Sequence, residues 1–177
     1  MIVTTLTEAF GLQHPIVLAP MGGVSGGRLA AAVSNAGGLG LVGGGYGDRE
    51  WLTRELGLVK AQATRPWGVG LITWSIGPGI LELALAHRPD ALMLSFGDPR
   101  PHANAIKASG CKLICQVQGV DDARLAAEAG ADLLVAQGTA GGGPGASPGP
   151  VPLLPTIGGV FRPPPARPVG RTRPWSG

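Results

Sequence analysis

The chain lacks several of the features that usually decide a protein's class. It has two cysteines in 177 residues, Cys111 and Cys115, and the second lies in the apolar run KLICQVQ. A bridge between them would close too small a loop to gain much entropy. Two thiols without a second ligand cluster make no zinc site. Reduced thiols in a cytoplasmic protein are expected. No apolar run approaches the roughly 18 residues of a membrane span, so no membrane association is expected. The start, MIVTTLTEAFGLQHPIV, has no basic stretch followed by an apolar core, so no secretory leader is expected either.

Acidic residues are absent from Thr139 to Gly177, which holds ten of the 17 prolines and nine of the 31 glycines. Its only cations are Arg162, Arg167, Arg171 and Arg173; without these four the net charge of +3 becomes −1. The basic character belongs to the tail and gives no case for a nucleic-acid-binding domain. The composition predicts one globular domain over 1–157 and a disordered tail over 158–177. One further absence is local. The stretch VAQGTAGGGPGASPG, Val135 to Gly149, has the layout of a strand entering an active-site loop, yet contains no His, Lys, Arg, Asp, Glu, Cys or Tyr.

The rest of the chain has a repeating grammar. Six apolar runs recur every 20 to 28 residues: Pro15–Met21, Leu39–Gly45, Trp67–Trp74, Ala91–Gly97, Lys112–Gln118 and Asp132–Gly138. Continuous apolar runs at this spacing predict parallel strands covered on both faces. Helical stretches separate them. One carries Leu29, Ala32, Val33 and Ala36 at helical spacing and ends at Gly37. Another opens at Asp48 as N-cap and buries Trp51, Leu52, Leu56 and Val59. Three more stop at Pro89, Gly110 and Gly130, the last being capped at its start by Asp121 or Asp122.

This pattern predicts an α/β fold, a TIM (β/α)8-type barrel that is incomplete, with about six βα units and a Pro/Gly/Arg-rich C-terminal tail. The alternative is an open Rossmann sheet, but MGGVSGGRLA after the first run does not fit its glycine fingerprint. A full barrel takes about 250 residues and eight strands. After Gly138 the grammar fails: VPLLPTIGGVF is hemmed in by Pro152 and Pro155. Six strands leave two open edges, which predicts self-association.

The runs HPIVLAPMGGVS, AGGLGLVGGG, GVGLITW, MLSFGDP, ICQVQ and AGADLLVAQG, in this order, resemble the nitronate monooxygenase family, also called 2-nitropropane dioxygenase-like proteins. The resemblance covers Leu12 to Gly138 and the following loop. It implies an FMN-dependent barrel enzyme that oxidises alkyl nitronates with O₂ to a carbonyl compound and nitrite. It places Ala19, Pro20, Met21 and Gly22 beside the flavin, with Gln116 near the ring and Gln118 at the same end. One of these two glutamines is expected to face the lumen and the other to hold a loop. After the sixth strand the family pattern is glycine-rich and ends in a catalytic His. Here Gly142 and Gly143 keep the flavin-proximal small positions, Ala140 stands where Glu is common, and Pro148 where many relatives have Arg.

Pro144 occupies the His position. Proline can neither take nor give a proton, so no catalytic residue is assigned. The family's phosphate-binding turns have no counterpart after Ile157, and the change of composition there resembles a truncated or altered reading frame. Activity is therefore expected to be impaired. The alternatives are a non-catalytic relative, or another FMN barrel such as a flavin-dependent enoyl reductase. Ser95 and Asp98 could face the mouth, though Asp98 also suits a turn or cap. Trp74 could shape the pocket or pack under a loop. His14, His87 and His102 are assigned packing or surface roles.

Overall fold

The computed structural model describes residues 2–139 and 150–161. The first element is α1 (Thr5–Phe10), which the apolar pattern does not announce. Its signals are local. The Thr4 hydroxyl accepts from the Thr7 N–H and the Thr7 hydroxyl accepts from the Thr4 N–H, a reciprocal cap; Gly11 ends the helix in the left-handed region.

Five strands follow: β1 (Gly40–Gly43), β2 (Trp67–Ile72), β3 (Ala91–Ser95), β4 (Lys112–Val117) and β5 (Leu133–Ala136). They pair in parallel in sequence order. A Rossmann sheet reverses its strand order at a switch point. No reversal occurs here, so the sheet winds one way, as in a barrel. Helices connect the strands: α2 (Gly27–Asn35), α3 (Arg49–Gln62), α4 (Ile80–Ala86), α5 (Arg100–Ala108), α6 (Val120–Glu128) and α7 (Pro150–Val160).

The run at Pro15–Met21 forms less strand than expected. It makes one parallel bridge, Val17 to Leu39, beside β1 and then turns. Pro15 and Pro20 have no N–H to donate, and the Met21 N–H turns back onto the Ala19 carbonyl at 2.9 Å. With this segment before α2, the chain contains six βα units of an incomplete (β/α)8-type barrel.

After Gly138, where the sequence grammar fails, α7 completes the sixth unit. α7 packs on α6 and β5, with Ile157 buried and Phe161 packed against the same cluster. Pro150 and Pro152 stand in its first turn, where a backbone N–H has no intrahelical partner to lose. α7 also runs across the expected boundary at residue 157.

Two further expectations change. α6 has Gly119 as its N-cap; Asp121 and Asp122 lie inside the first turn, where they complement the helix dipole. α2 buries Gly27, Ala30, Ala31 and Ser34, while Leu29 and Ala32 are exposed. Close approach is the reason. A Cβ on Gly27 would clash with the backbone of Glu55, and a Cβ on Gly40 would clash with that of Ala30. Only small residues fit on that face.

The α2 N-terminus has no side-chain cap of its own. Glu55 of α3, itself buried, replaces one: its carboxylate accepts the Gly27 N–H at 2.8 Å. Glu55→Ala leaves that amide buried without a partner. It is expected to cost about 1–2 kcal/mol, read as a lower urea midpoint at unchanged slope. An unchanged midpoint would show the contact to be idle. Asp48 caps α3 as the sequence predicts, accepting from the Trp51 N–H at 3.0 Å.

The sheet separates two apolar layers. Val42, Val69, Leu92, Leu94, Leu113 and Cys115 pack under the helices. Leu39, Leu41, Ala91, Met93 and Ile114 fill the lumen, where Phe10 and Leu12 at the end of α1 join them. No helix among the described residues is long and apolar enough to cross a membrane.

Candidate functional site

Side chains alternate along a strand, so each strand sends every second residue into the lumen. On β3 these are Ala91, Met93 and Ser95. On β4 they are Lys112, Ile114 and Gln116. On β5 they are Leu133, Val135 and, just past its end, Gln137. The lumen rows become polar at the C-terminal end of the strands, where βα loops gather in parallel barrels.

These polar ends meet. The Ser95 hydroxyl donates to Gln116 Oε1 at 3.1 Å. The Gln116 amide donates to Gln137 Oε1, and Gln118 Nε2 donates to the same oxygen at 2.7 Å. The Gln118 backbone N–H is held by Asp122 at 2.9 Å. Each donor orients the next amide, so the row presents a fixed pattern rather than free rotors.

A cavity of about 690 Å³ opens above this row. Its other wall is rich in glycine. The Ala19–Gly22 turn is pinned by the Ser25 hydroxyl, which donates to the Ala19 carbonyl at 2.6 Å. The turn then lies across the strand ends. Pro20 packs on Gly70, the Met21 carbonyl on Gly43, and Gly22 on Gly45, each so close that a Cβ on the glycine would clash. Three separate sequence motifs thus form one surface, and the glycines are what lets them touch. Trp51, which also lines the cavity, locks it by donating its indole N–H to the Gly43 carbonyl at 2.9 Å. Beyond Ser95 the chain bends through Phe96, whose φ of 60° is left-handed and strained for a non-glycine residue.

Ala19, Pro20, Met21, Gly22 and Gln116 therefore line the cavity. Gln118 stands behind it, steering Gln137, so of the two glutamines one faces the lumen and one supports. Gly142, Gly143 and Pro144, with Ala140 and Pro148, lie outside the described residues. Ser95 lines the cavity; Asp98 does not. Its carboxylate accepts the Arg100 N–H at 3.0 Å and pairs with the Arg100 guanidinium, which holds it below the usual carboxylate range. Gln137, Tyr46, Gly44, Gly45 and Gly70 are lining residues that motif reading did not single out. The alternation of two along each strand would have found Gln137.

The electrostatics are spare. Among the described residues no Lys, Arg or His lines the cavity, and Asp48 is engaged as a helix cap. His87 faces the Leu83 carbonyl at 3.0 Å, and His14 is exposed at a surface turn. The thiols are no substitute for a nucleophile. Both are free, buried and on the helix side of the sheet, and burial pushes the Cys115 thiol up to about 12 and Cys111 further up. Among the described residues no group of three or more His, Cys, Asp or Glu is placed to hold a metal ion.

The family profile described as nitronate monooxygenase matches residues 3–75 and 78–162. The chain belongs to the nitronate monooxygenase family. A nitronate monooxygenase of Pseudomonas aeruginosa is 32% identical over 180 residues, covering 77% of this chain and 50% of that protein. A Mycobacterium tuberculosis protein named (3aS,4S,5R,7aS)-5-hydroxy-7a-methyl-1-oxo-octahydro-1H-indene-4-carboxyl-CoA dehydrogenase is 32% identical over 158 residues, covering 87% of this chain and 44% of its own length. Among solved structures, FabK of Thermotoga maritima superposes with a TM-score of 0.85 at 26% identity, covering 93% of this chain and 53% of the other. Nitroalkane oxidase of Streptomyces ansochromogenes superposes at 0.77 and 27% identity, covering 91% and 59%. The chain spans about half the length of the curated relatives it matches. The nitronate monooxygenase family is one of flavin-dependent enzymes, so the mouth of this partial barrel is the place to ask what a flavin would meet.

Proposed function

We propose that this chain carries the ring-binding side of an FMN site and is related in function to enzymes that oxidise alkyl nitronates with O₂. One observation carries the reading: a cavity with a glycine-rich wall at the C-terminal strand ends, faced by a fixed row of side-chain hydroxyl and amide groups. Its glycines leave part of the wall as bare backbone, which suits a flat ring, and Ser95, Gln116 and Gln137 suit a ring edge rich in nitrogen and oxygen. A bound flavin supplies the redox centre for an electron-rich substrate and O₂. The chain's own part is to hold the ring against Ala19–Gly22 and to present oriented amides.

The described lining offers no cation for a phosphate and no general base, and Pro144 cannot act as one. Turnover of nitronates by this chain is therefore expected to be slow. The test is a titration with FMN, followed by visible absorption and flavin fluorescence. Saturable micromolar binding is the expected result; soluble, folded protein that binds no FMN overturns the proposal. Nitronate-dependent O₂ uptake equal to that of a full-length family member would overturn the expected impairment.

A second reading has support in the Mycobacterium relative, whose name is that of a carboxyl-CoA dehydrogenase. Another flavin barrel acting on thioesters, such as an enoyl reductase, would oxidise NADH in the presence of an enoyl thioester. A cytoplasmic setting agrees with two buried free thiols.

The chain is also proposed to self-associate. β5 is only half-buried along its whole length, and Ile16, Val24 and Leu29 are exposed near the other end of the sheet. Light scattering is expected to give a mass above that of one chain. A single-chain mass at micromolar concentration would remove the idea.

A further inference from the structure

Tyr46 and Trp74 are large aromatic side chains left 74% and 65% exposed. They stand on two successive βα loops of the cavity face, after β1 and after β2, with ring centroids 5.8 Å apart and planes tilted by 49°. Tyr46 lines the cavity, as does Met21, which is 50% exposed. The backbones of Gly22 and Gly45 touch, which brings the chain at Met21 close to the chain at Tyr46; Trp74 stands beside Tyr46 at the rim, outside the cavity lining.

The loops that carry the pair touch each other. Tyr46 sits between Gly45 and Gly47, both left-handed at φ 53° and 83°. Trp74 is in a single 3-10 turn, Thr73–Ser75. The Ser75 hydroxyl donates to the Ile72 carbonyl at 2.9 Å and reaches the Gly45 carbonyl at 3.5 Å. A Cβ on Gly47 would stand 2.9 Å from the Ser75 carbonyl oxygen. The two loops are thus interlocked beneath the rings. Fold stability alone does not call for two pre-positioned aromatic faces in solvent.

We propose that Tyr46, Trp74 and Met21 form an apolar collar that takes an uncharged aromatic ring of the substrate, above the flavin site. This rests on the flavin-site reading for the rest of the pocket. A tilted aromatic pair offers both an edge and a face, which matches a third ring better than a short alkyl chain. The Met21 thioether is a polarizable contact for the same ring. The ring is uncharged because the described lining supplies no cation, and its one engaged carboxylate, Asp48, would disfavour an anion. The collar therefore selects for a ring-bearing substrate over a small nitroalkane.

The test uses calorimetric titration of the purified chain, with and without FMN, against 2-phenyl-1-nitroethane and nitroethane. The phenyl compound is expected to bind at least tenfold more tightly. Trp74→Ala and Tyr46→Ala are expected to erase that preference, and Trp74→Phe to keep most of it. Equal affinity for the two probes, or a preference that survives Trp74→Ala, overturns the collar. So does a tenfold loss of FMN affinity in Trp74→Ala, because the rings would then belong to the cofactor. Preference for the phenyl probe without FMN binding would sink the flavin reading and leave the collar standing.

Discussion

A Gly43→Ala variant is expected to lose about 3 kcal/mol of stability, the upper end of ordinary overpacking. The added Cβ would run into the Met21 carbonyl and stand 2.9 Å from the Gly22 amide nitrogen. Both neighbours are backbone, and neither can rotate away. To relieve the clash, the Ala19–Gly22 turn must lift from the strand ends, which also breaks the cavity wall. FMN affinity is expected to fall at least tenfold in the same variant. Gly57→Ala is the control. Gly57 lies in the middle of α3 with nothing within 4 Å of its added Cβ. There the same substitution is expected to stabilise by about 0.5–1 kcal/mol through helix propensity. Urea unfolding of the two variants reads both signs. Equal effects would mean that the turn does not lie on Gly43.

Gln137→Leu tests the other wall. Gln137 Oε1 accepts from both Gln116 and Gln118. Leucine fills similar space and accepts nothing, so two partly buried amides lose their acceptor. The expected cost is about 2 kcal/mol, with FMN affinity at least tenfold weaker because Gln116 is no longer aimed. Gln118→Ala is expected to cost less, since Gln137 keeps Gln116 as a donor. An inverse order, with Gln118→Ala the more damaging, would place the centre of the network elsewhere.

The strands were legible because parallel strands buried on both faces must be apolar throughout, and runs such as ALMLS and WGVGLI leave few other choices. The helix faces were less so. In α2 the periodic Leu29–Val33 face is the more obvious, yet α3 and β1 approach so closely that Gly27, Ala30 and Ser34 take the buried side. Hydrophobicity ranks side chains by transfer from water; it says nothing about how near two backbones come. α7 was hidden by its prolines: Pro150 and Pro152 are harmless in a first turn, whereas Pro155 stands inside the helix, where a proline ordinarily argues against one.

For the site, AlaProMetGlyGly was legible as a motif at 19–23, but its physical role was not. Its partners Gly43, Gly45 and Gly70 are 20 to 50 residues away in sequence and meet it only through the sheet. Gln116 and Gln137 are legible for the same reason: each is the polar C-terminal end of a lumen row, directly after the apolar Ile114 and Val135.

Those rows have a consequence for proton traffic. Beneath Ser95, Gln116 and Gln137 the lumen is formed by Leu41, Met93 and Ile114, which are almost wholly buried and carry nothing that titrates. The amides act as a waterline. A proton gained or lost by anything held in the cavity cannot be relayed through this stretch of the lumen; the mouth, on the side where Tyr46 stands, is the open route among the described residues.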